Sequence, residues 1–395
     1  MKTLNDFNFN SLKALMRVDF NVPVDDQMNI TDDTRIRAAI PSIKKILADG
    51  GSVVLMSHRG RPKGVDLSMS LSFLTSKLSS LLNTTVHFSS ECVGKKAEEK
   101  AQRLKKGEVL LLENLRFHKE ETDGDLKFAE ALSRLGQIYV NDAFGTAHRA
   151  HASTTIVAQF FNEKKCFGYV MSKEIENIDL FVKGAKRPIT AIIGGAKVSS
   201  KISIISTLLK EVDNLVIGGG MAYTFVKAQG GNVGNSLVED DKLDLALSII
   251  KEANNRGVRL CIPTDSVNAD RFSNDANKLY SLIGNVPEGF MGLDIGHETA
   301  SSYKNIIENS QSILWNGPMG VFEMDNFSHG TTAIAESLVS ATQKGAFTIV
   351  GGGDSVAAIN KYNMTNKVSY VSTGGGAMLE YLEGNVLPGI QAILE

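Results

Sequence analysis

In the second half of the chain, apolar runs end repeatedly in glycines and give way to helix-like stretches. Ile189 to Ile193 leads into Gly194-Gly195-Ala196-Lys197-Val198-Ser199-Ser200-Lys201, and Leu215-Val216-Ile217 into Gly218-Gly219-Gly220-Met221. Val258 to Ile262 leads into Pro263-Thr264-Asp265, and Ile313-Leu314-Trp315 into Asn316-Gly317-Pro318-Met319-Gly320. The 346–350 run leads into Gly351-Gly352-Gly353-Asp354-Ser355, and Val368 to Val371 into Ser372-Thr373-Gly374-Gly375-Gly376. A short apolar run closed by glycine reads as a buried strand whose carboxyl end lets backbone approach a ligand closely. Strands alternating with helices call for an α/β chain with parallel, doubly wound sheets. In such sheets ligands bind outside the carboxyl ends of the strands.

The first half uses the same alternation with different strand ends. Residues 13–22 alternate, with Ala14, Met16, Val18, Phe20 and Val22 on one face and Arg17, Asp19 and Asn21 on the other, the pattern of a half-buried strand. A helix follows over roughly 33–48, with Arg35 and Arg37 in its first turn. Arginine there opposes the helix dipole, so either one of them is held for a ligand or both are solvated. Val53-Val54-Leu55-Met56 then runs into Ser57-His58-Arg59-Gly60-Arg61-Pro62, Val109 to Leu112 into Glu113-Asn114-Leu115-Arg116-Phe117, and Ile138-Tyr139-Val140 into 141–151. Helical stretches such as 70–82 and 125–135 separate these runs. Asp19, Asn21, His58, Arg61, Arg116 and Arg149 all fall at or beyond a strand's carboxyl end. One such arginine is ordinarily a surface residue; several at one rim make an anion-binding cluster, because guanidinium matches carboxylate and phosphate oxygens. His148 and His151 lack a third ligand nearby in sequence and are expected to hydrogen-bond rather than hold a metal.

The length of 395 residues suits two domains. A helical pattern over 171–186, stopped by Gly184 and Pro188, reads as the link between them. A net charge of −2 without a basic block suggests neither a nucleic-acid nor a membrane partner. The three cysteines are far apart and form no CxxC pair, and no leader-like or membrane-length apolar segment stands out, so a reducing, cytoplasmic setting is expected.

Two stretches carry the finer chemistry. A helix start behind three glycines is an anion site, and Asp354 inside it either caps the helix or meets a Mg²⁺ ion held against phosphate; the pattern leaves both open. Lys197 and Lys201, four apart at a helix opening, would share a face, either for phosphate or as a solvated pair. Neither G-x-x-x-x-G-K-[ST] nor G-x-G-x-x-G occurs, which speaks against a P-loop enzyme and a nicotinamide dehydrogenase.

Taken in order, Arg17-Val18-Asp19-Phe20-Asn21-Val22-Pro23, Ser57 to Pro62, Glu113 to Phe117, Asp142 to His151, Gly194 to Lys201, Gly218 to Tyr223, Trp315 to Glu323, Gly351 to Asp354 and Ser372 to Gly376 closely resemble the phosphoglycerate kinase family. The resemblance spans essentially the whole chain. It implies two doubly wound parallel-sheet, Rossmann-like domains facing a cleft and joined by a helix. These would be 1–170 for 3-phosphoglycerate, with 378–395 returning to it, and 171–377 for the linking helix and nucleotide. It implies reversible phosphoryl transfer between 1,3-bisphosphoglycerate with MgADP and 3-phosphoglycerate with MgATP, by a monomer that closes on a hinge. The family's substrate contacts map onto Asp19, Phe20, Asn21, Arg35, His58, Arg59, Gly60, Arg61, Arg116 and Arg149. Its nucleotide contacts map onto Lys197, Lys201, Gly219, Gly292, Leu293, Asn316, Glu323 and Gly351, Gly352, Gly353, Asp354 and Ser355, with Glu323 on the ribose and Asp354 as the Mg²⁺ ligand. The family commonly reads Gly-Pro where this chain has Gly296-His297, which frees φ and adds an imidazole beside a nucleotide loop.

An acyl phosphate and a carboxylate need no strong general base, because the carboxylate is already ionised near neutral pH. Catalysis then rests on positioning and charge neutralisation, assigned to Arg35, Lys197, Mg²⁺ and backbone N–H groups near Gly352 and Gly375. His58 and Arg61 would position the substrate, while Arg116 and Arg149 would hold its phosphate. A non-catalytic two-lobed anion-binding protein would explain the lobes but not the pairing of Lys197 and Lys201 with Asp354.

Overall fold

The computed structural model describes residues 1–395. The chain divides into two compact units, Met1–Glu176 with Asn385–Glu395, and Asn177–Gly384. The expectation set the boundaries at 170/171 and 377/378; in the structure the first division falls inside the helix Tyr169–Gly184, and the second follows the helix Gly376–Leu382.

The first unit is built on six parallel strands: β1 (Lys13–Val18), β2 (Ser52–Met56), β3 (Val86–Ser89), β4 (Val109–Leu112), β5 (Ile138–Asp142) and β6 (Lys165–Phe167), in the order β3-β4-β2-β1-β5-β6. Every residue of β2, β4 and β5 is buried, as expected of parallel strands covered by helices on both faces. The half-buried reading of 13–22 is corrected here. The strand stops at Val18 and sits at the centre of the sheet, so Arg17 is fully buried rather than solvated. Its charge therefore has to be satisfied inside the protein. Strands β3 and β6 were not anticipated: they are short, and β3 carries exposed His87 and half-buried Phe88, which blur its apolar run.

Two contacts anchor distant segments beyond the carboxyl end of β5. Asp142 Oδ1 accepts from Val170 N at 2.7 Å and Met171 N at 3.2 Å, so it holds the first turn of the helix Tyr169–Gly184. The returning segment ends in the helix Pro388–Leu394, whose Gly389 lies against the 143–151 loop. Gly389 N donates to Ala147 O at 2.8 Å, and Asn141 Nδ2 donates to Gly389 O at 3.1 Å. A Cβ at Gly389 would come within 3.0 Å of Ala147 Cα, so the approach favours glycine.

The second unit holds two sheets. Its main sheet comprises β7 (Ile189–Ile193), β8 (Asn214–Ile217), β9 (Arg259–Cys261), β13 (Ser312–Asn316), β14 (Phe347–Val350) and β15 (Tyr370–Val371), all parallel in the order β15-β14-β13-β7-β8-β9. Between β9 and β13 the chain forms a separate antiparallel sheet of β10 (Asp265–Ala269), β11 (Lys278–Leu282) and β12 (Met291–Ile295), in the order β11-β10-β12. Sequence patterning misses this sheet because its interior is partly polar. Ser266 and Asn268 are buried, with Asn268 Nδ2 donating to Ser281 Oγ at 2.9 Å and to Leu279 O at 3.2 Å. Fully buried Trp315, Ile192, Ile313, Ile334 and Leu338 anchor the core beneath the main sheet.

Candidate active site

In both parallel sheets the strand order reverses beside the first strand of the unit, between β1 and β5 in the first unit and between β7 and β13 in the second. At such a point neighbouring connections leave in opposite directions and open a crevice beyond the strand carboxyl ends. Most residues singled out in the sequence lie in the loops that leave the carboxyl ends of these two sheets.

Beyond β1, Asp19 folds the chain back on itself: Oδ1 accepts from Asn21 N at 3.1 Å, and Oδ2 lies 3.1 Å from Arg35 Nη1. Arg35 Nη1 also donates to Asn21 O at 3.0 Å, and Asn21 Oδ1 accepts from Gly60 N at 3.0 Å. Phe20 is buried, and its N–H donates to Ser57 Oγ at 2.9 Å. Arg37, by contrast, is exposed and pairs with Asp33 at 2.8 Å one turn back, so Arg35 is the first-turn arginine turned toward the cluster. Arg116 Nη1 donates to Gly60 O at 2.6 Å, and Arg149 Nε donates to His148 Nε2 at 3.1 Å. Arg59 makes a different use of its charge: its guanidinium donates to Ser68 O at 2.7 Å and lies 4.8 Å from the centre of the Phe73 ring. Arg61 is exposed.

The electrostatics of this unit are lopsided. Burial, and then the positive charges of Arg17, Arg149 and Arg61, push Arg116 down to about 10. Burial together with Arg17, Arg116 and Arg35 pushes His58 well below the ordinary imidazole range. Burial and neighbouring arginines bring His151 down to about 4. Arginine charges thus converge where few carboxylates answer them, leaving a positive well suited to a multiply charged anion.

A buried support beneath the well was not foreseen. Arg17 Nε donates to Ser153 Oγ at 2.9 Å, its Nη1 to Val18 O, and its Nη2 to His58 Nδ1 at 3.0 Å. Guanidinium only donates, so His58 Nδ1 accepts and its ring proton resides on Nε2. Ser153 Oγ in turn donates to Glu121 Oε1 at 2.6 Å, while Ser153 N donates to Oε2 at 3.0 Å. Glu121 is fully buried, and burial raises its pKa against the pull of Arg17. His151 Nδ1 lies 3.9 Å from Glu121 Oε1. In sequence Glu121 is one acid in a Lys-Glu-Glu-Thr-Asp run, and nothing local separates it from its solvated neighbours.

In the second unit the crevice is made of backbone. The loops after β7 and β13 touch directly: Gly194 N donates to Asn316 O at 2.9 Å and Gly195 N to Pro318 O at 3.1 Å. A Cβ at Gly194 would sit 2.1 Å from Pro318 O, so no other residue fits without moving the loop. Lys201 Nζ donates to Asn316 Oδ1 at 2.6 Å, Asn316 Nδ2 to Gly351 O at 2.9 Å, and Gly317 N to Ser355 Oγ at 2.5 Å. Burial lowers the Lys201 pKa while Asp354 opposes the shift, so these two lie in each other's field. The expectation that Lys197 and Lys201 share a helix face is corrected. The helix is Ile202–Leu208, and residues 198–201 form the turn before it, pinned by Ser199 N donating to Glu239 Oε2 at 2.9 Å. Lys197 is exposed.

Asp354 does not cap its helix. Gly352 holds the N-cap position with φ of 92°, no side chain caps the helix Gly353–Lys361, and Asp354 lies exposed in its first turn. Gly375, with φ of 52°, opens the helix Gly376–Leu382 in the same way. A cavity of about 550 Å³ adjoins these loops; Gly219, Gly292, Leu293, Glu323 and Asp354 line it, with Leu237, Phe272 and Met291 supplying apolar wall. This is the size and character of a small-molecule pocket. His297 follows this wall but does not line the cavity: its ring lies 5.6 Å from Tyr280 and 4.8 Å from His329. The structure brings together no group of three His, Cys, Asp or Glu side chains suited to a metal ion. An exposed carboxylate that caps nothing, in the first turn of a glycine-opened helix, fits a cation whose other ligands come with a phosphate and water. No helix is long and apolar enough to cross a membrane.

Comparison with known proteins agrees along the whole chain. Residues 4–385 match the family model described as phosphoglycerate kinase. The chain is 51% identical over 415 residues to the phosphoglycerate kinase of Porphyromonas gingivalis, covering 99% of both chains. It is 51% identical over 393 residues to that of a Nostoc species, covering 100% of this chain and 98% of the relative. The solved phosphoglycerate kinase of Coxiella burnetii superposes with a TM-score of 0.88 at 37% identity, covering 99% of this chain and 98% of that one. That of Pyrococcus horikoshii superposes with a TM-score of 0.86 at 31% identity, covering 100% and 98%. The chain belongs to the phosphoglycerate kinase family.

Proposed function

We propose that the two crevices divide the reactants of one reaction, the arginine well of the first unit taking the phosphoglycerate and the glycine-walled cavity of the second taking the nucleotide. Membership of the family makes this chain an enzyme of reversible phosphoryl transfer between 1,3-bisphosphoglycerate and ADP in glycolysis. The observation that carries the division is that each parallel sheet reverses its strand order beside its first strand, and the two places are furnished differently. Arginine charge suits a small, highly charged acid. Backbone N–H groups at glycine-opened helix starts suit a phosphate chain, and the apolar wall suits a base.

Within the first unit, Arg116 and Arg149 hold the substrate's phosphate, and His58, Arg61, Asp19 and Asn21 orient the glycerate. Because Arg17 occupies Nδ1, His58 presents Nε2–H as a donor and stays neutral. It is a hydrogen-bonding group, not a base, which suits a reaction whose acceptor carboxylate is already ionised. Arg35 neutralises the transferring group. In the second unit Lys201 and Asn316 lie beside the phosphates, Lys197 and the N–H groups near Gly352 and Gly375 meet the transferred phosphoryl group, and Glu323 holds the ribose. The family works on Mg²⁺-nucleotides, and Asp354 would hold that ion here. When bound with the nucleotide, the ion neutralises phosphate charge. All these groups belong to one chain, which favours a monomer, and the glycolytic role supports a cytoplasmic setting.

In-line transfer needs reacting atoms roughly 3–3.5 Å apart with water excluded. The two sets of groups lie on separate units, so turnover requires the units to close after both ligands have entered. Either ligand alone contacts one unit and supplies only part of the closing free energy. Solution scattering should show a smaller radius of gyration with both ligands than with either alone; equal radii for the free and doubly liganded protein would exclude closure. The activity itself is tested by ATP formation from ADP and 1,3-bisphosphoglycerate in the presence of Mg²⁺. Failure of the purified chain to form ATP would overturn the reading.

A further inference from the structure

One buried acid in the wall of the second unit's cavity has no part in the scheme above. Asp294, near the carboxyl end of β12, is 3% exposed and lines the cavity. Each of its oxygens holds a backbone donor: Oδ1 accepts from Ile295 N at 2.9 Å, and Oδ2 from Gly330 N at 2.8 Å, at the start of the helix His329–Gln343. Gly320 packs so tightly against the carboxyl that a Cβ there would lie 2.2 Å from Oδ1. The 319–321 segment is tied from two further sides. Val321 N donates to Leu293 O at 2.8 Å, and Thr331 Oγ1 accepts from Met319 N at 3.1 Å and Gly320 N at 3.3 Å.

One carboxyl group thus bonds β12, which carries Gly292 and Leu293, to the helix start at Gly330, and packs against Gly320 in the loop that leads to Glu323. Burial alone pushes Asp294 up to about 7, so keeping an acid here carries a cost. The geometry explains its choice. Two N–H donors converge on one side chain, and a carboxyl can accept from both; an asparagine would turn its own N–H₂ toward one of them.

Resting on the assignment of this cavity to the nucleotide, we propose that Asp294 is a positioning residue for the nucleotide, holding the 319–323 loop, and with it Glu323, in register with β12. Its effect is exerted through Glu323 and the loop backbone and falls on nucleotide affinity rather than on the phosphoglycerate side.

Calorimetric titration with MgADP and, separately, with 3-phosphoglycerate tests this in wild type and Asp294→Asn. The substitution should weaken MgADP binding about tenfold, the usual result of leaving a buried donor opposed. It should leave 3-phosphoglycerate affinity within about twofold and raise KM for ADP with kcat little changed. Amide exchange of residues 319–323 should quicken in the folded variant. A folded Asp294→Asn protein that loses thermal stability but binds MgADP as wild type does, or more tightly, would overturn the proposal. Should that variant not fold, Thr331→Val removes only the hydroxyl that ties Met319 and Gly320 and must weaken MgADP binding in the same selective way. Unchanged affinity there would overturn the proposal as well. Wild-type protein that does not bind MgADP would instead remove the assignment of the cavity.

Discussion

On the division of reactants proposed above, the two crevices hold phosphate in a doubly wound sheet with opposite materials. The first unit uses side-chain charge and rests it on a buried ionic support, Arg17, Ser153 and Glu121, beneath His58. The second uses backbone: loops that meet glycine to glycine, helices opened by Gly352 and Gly375, and a short chain of bonds through Lys201, Asn316 and Gly351. A charged well attracts and orients a small anion but has to be supported against its own repulsion. A backbone cradle needs no such support, yet it tolerates no Cβ at its contact points. The difference predicts that the first site is broken by removing charge and the second by removing a cation ligand or adding atoms.

The sharpest way to break the comparison is Arg35→Ala. Arg35 is partly exposed and answers one carboxylate, Asp19, which keeps its bond from Asn21 N without it, so its loss should leave the fold intact. If it neutralises the transferring group, kcat should fall by ~10²–10³, the usual worth of a preorganised charge. A steady-state assay beside a thermal melt decides: normal melting with near-normal kcat would remove Arg35 from the reaction and leave the first unit as a binding surface only.

Asp354→Asn probes the other side with a smaller effect. The carboxylate makes no capping bond, so the melting temperature should hardly move. If it serves a nucleotide-borne Mg²⁺, the Mg²⁺ concentration needed for half-maximal rate should rise about tenfold, while 3-phosphoglycerate binding stays unchanged. An unaltered Mg²⁺ titration would show that the second crevice holds its nucleotide by backbone alone.

The two crevices also differed in how far they could be read from sequence. Strand ends followed by glycine or arginine are local patterns, and the strand-end rule collects them without knowledge of the tertiary structure. Asp19, His58, Arg116 and Arg149 emerged that way, as did the glycine loops. What stayed hidden were groups whose role depends on burial. Arg17 alternates with apolar residues like any surface arginine, and only the central place of β1 shows that its charge is internal. Glu121 sits in a charged run, and Asp294 follows Gly292-Leu293 with no local mark of its two backbone donors. The Lys197–Lys201 spacing misled because a four-residue interval implies a shared face only within a helix, and Ser199 and Glu239 hold that stretch as a turn.

The smallest effect sharpens the comparison through pH. His151 in the first unit is held down to about 4 by burial and neighbouring arginines, below its ordinary value of 6.5. A base that the folded state keeps neutral lends stability above the unfolded value, and that stability is lost as pH falls from about 6.5 towards 4. Asp294 in the second unit is raised from 3.8 to about 7. An acid that the folded state keeps protonated lends stability at low pH, and that stability is lost as pH rises from about 4 towards 7. Over the same window the two groups therefore pull in opposite directions, one in each unit. Asp142 in the first unit is likewise raised to about 7 and offsets part of the histidine's slope, so variants are needed to separate them. Chemical denaturation of His151→Asn at pH 5 and pH 7 should show less loss of stability on acidification than wild type. Asp294→Asn should show more, because the acid that gained on protonation is gone. Slopes that shift in the same direction for both variants would mean that the charge balance of the two units is shared rather than local.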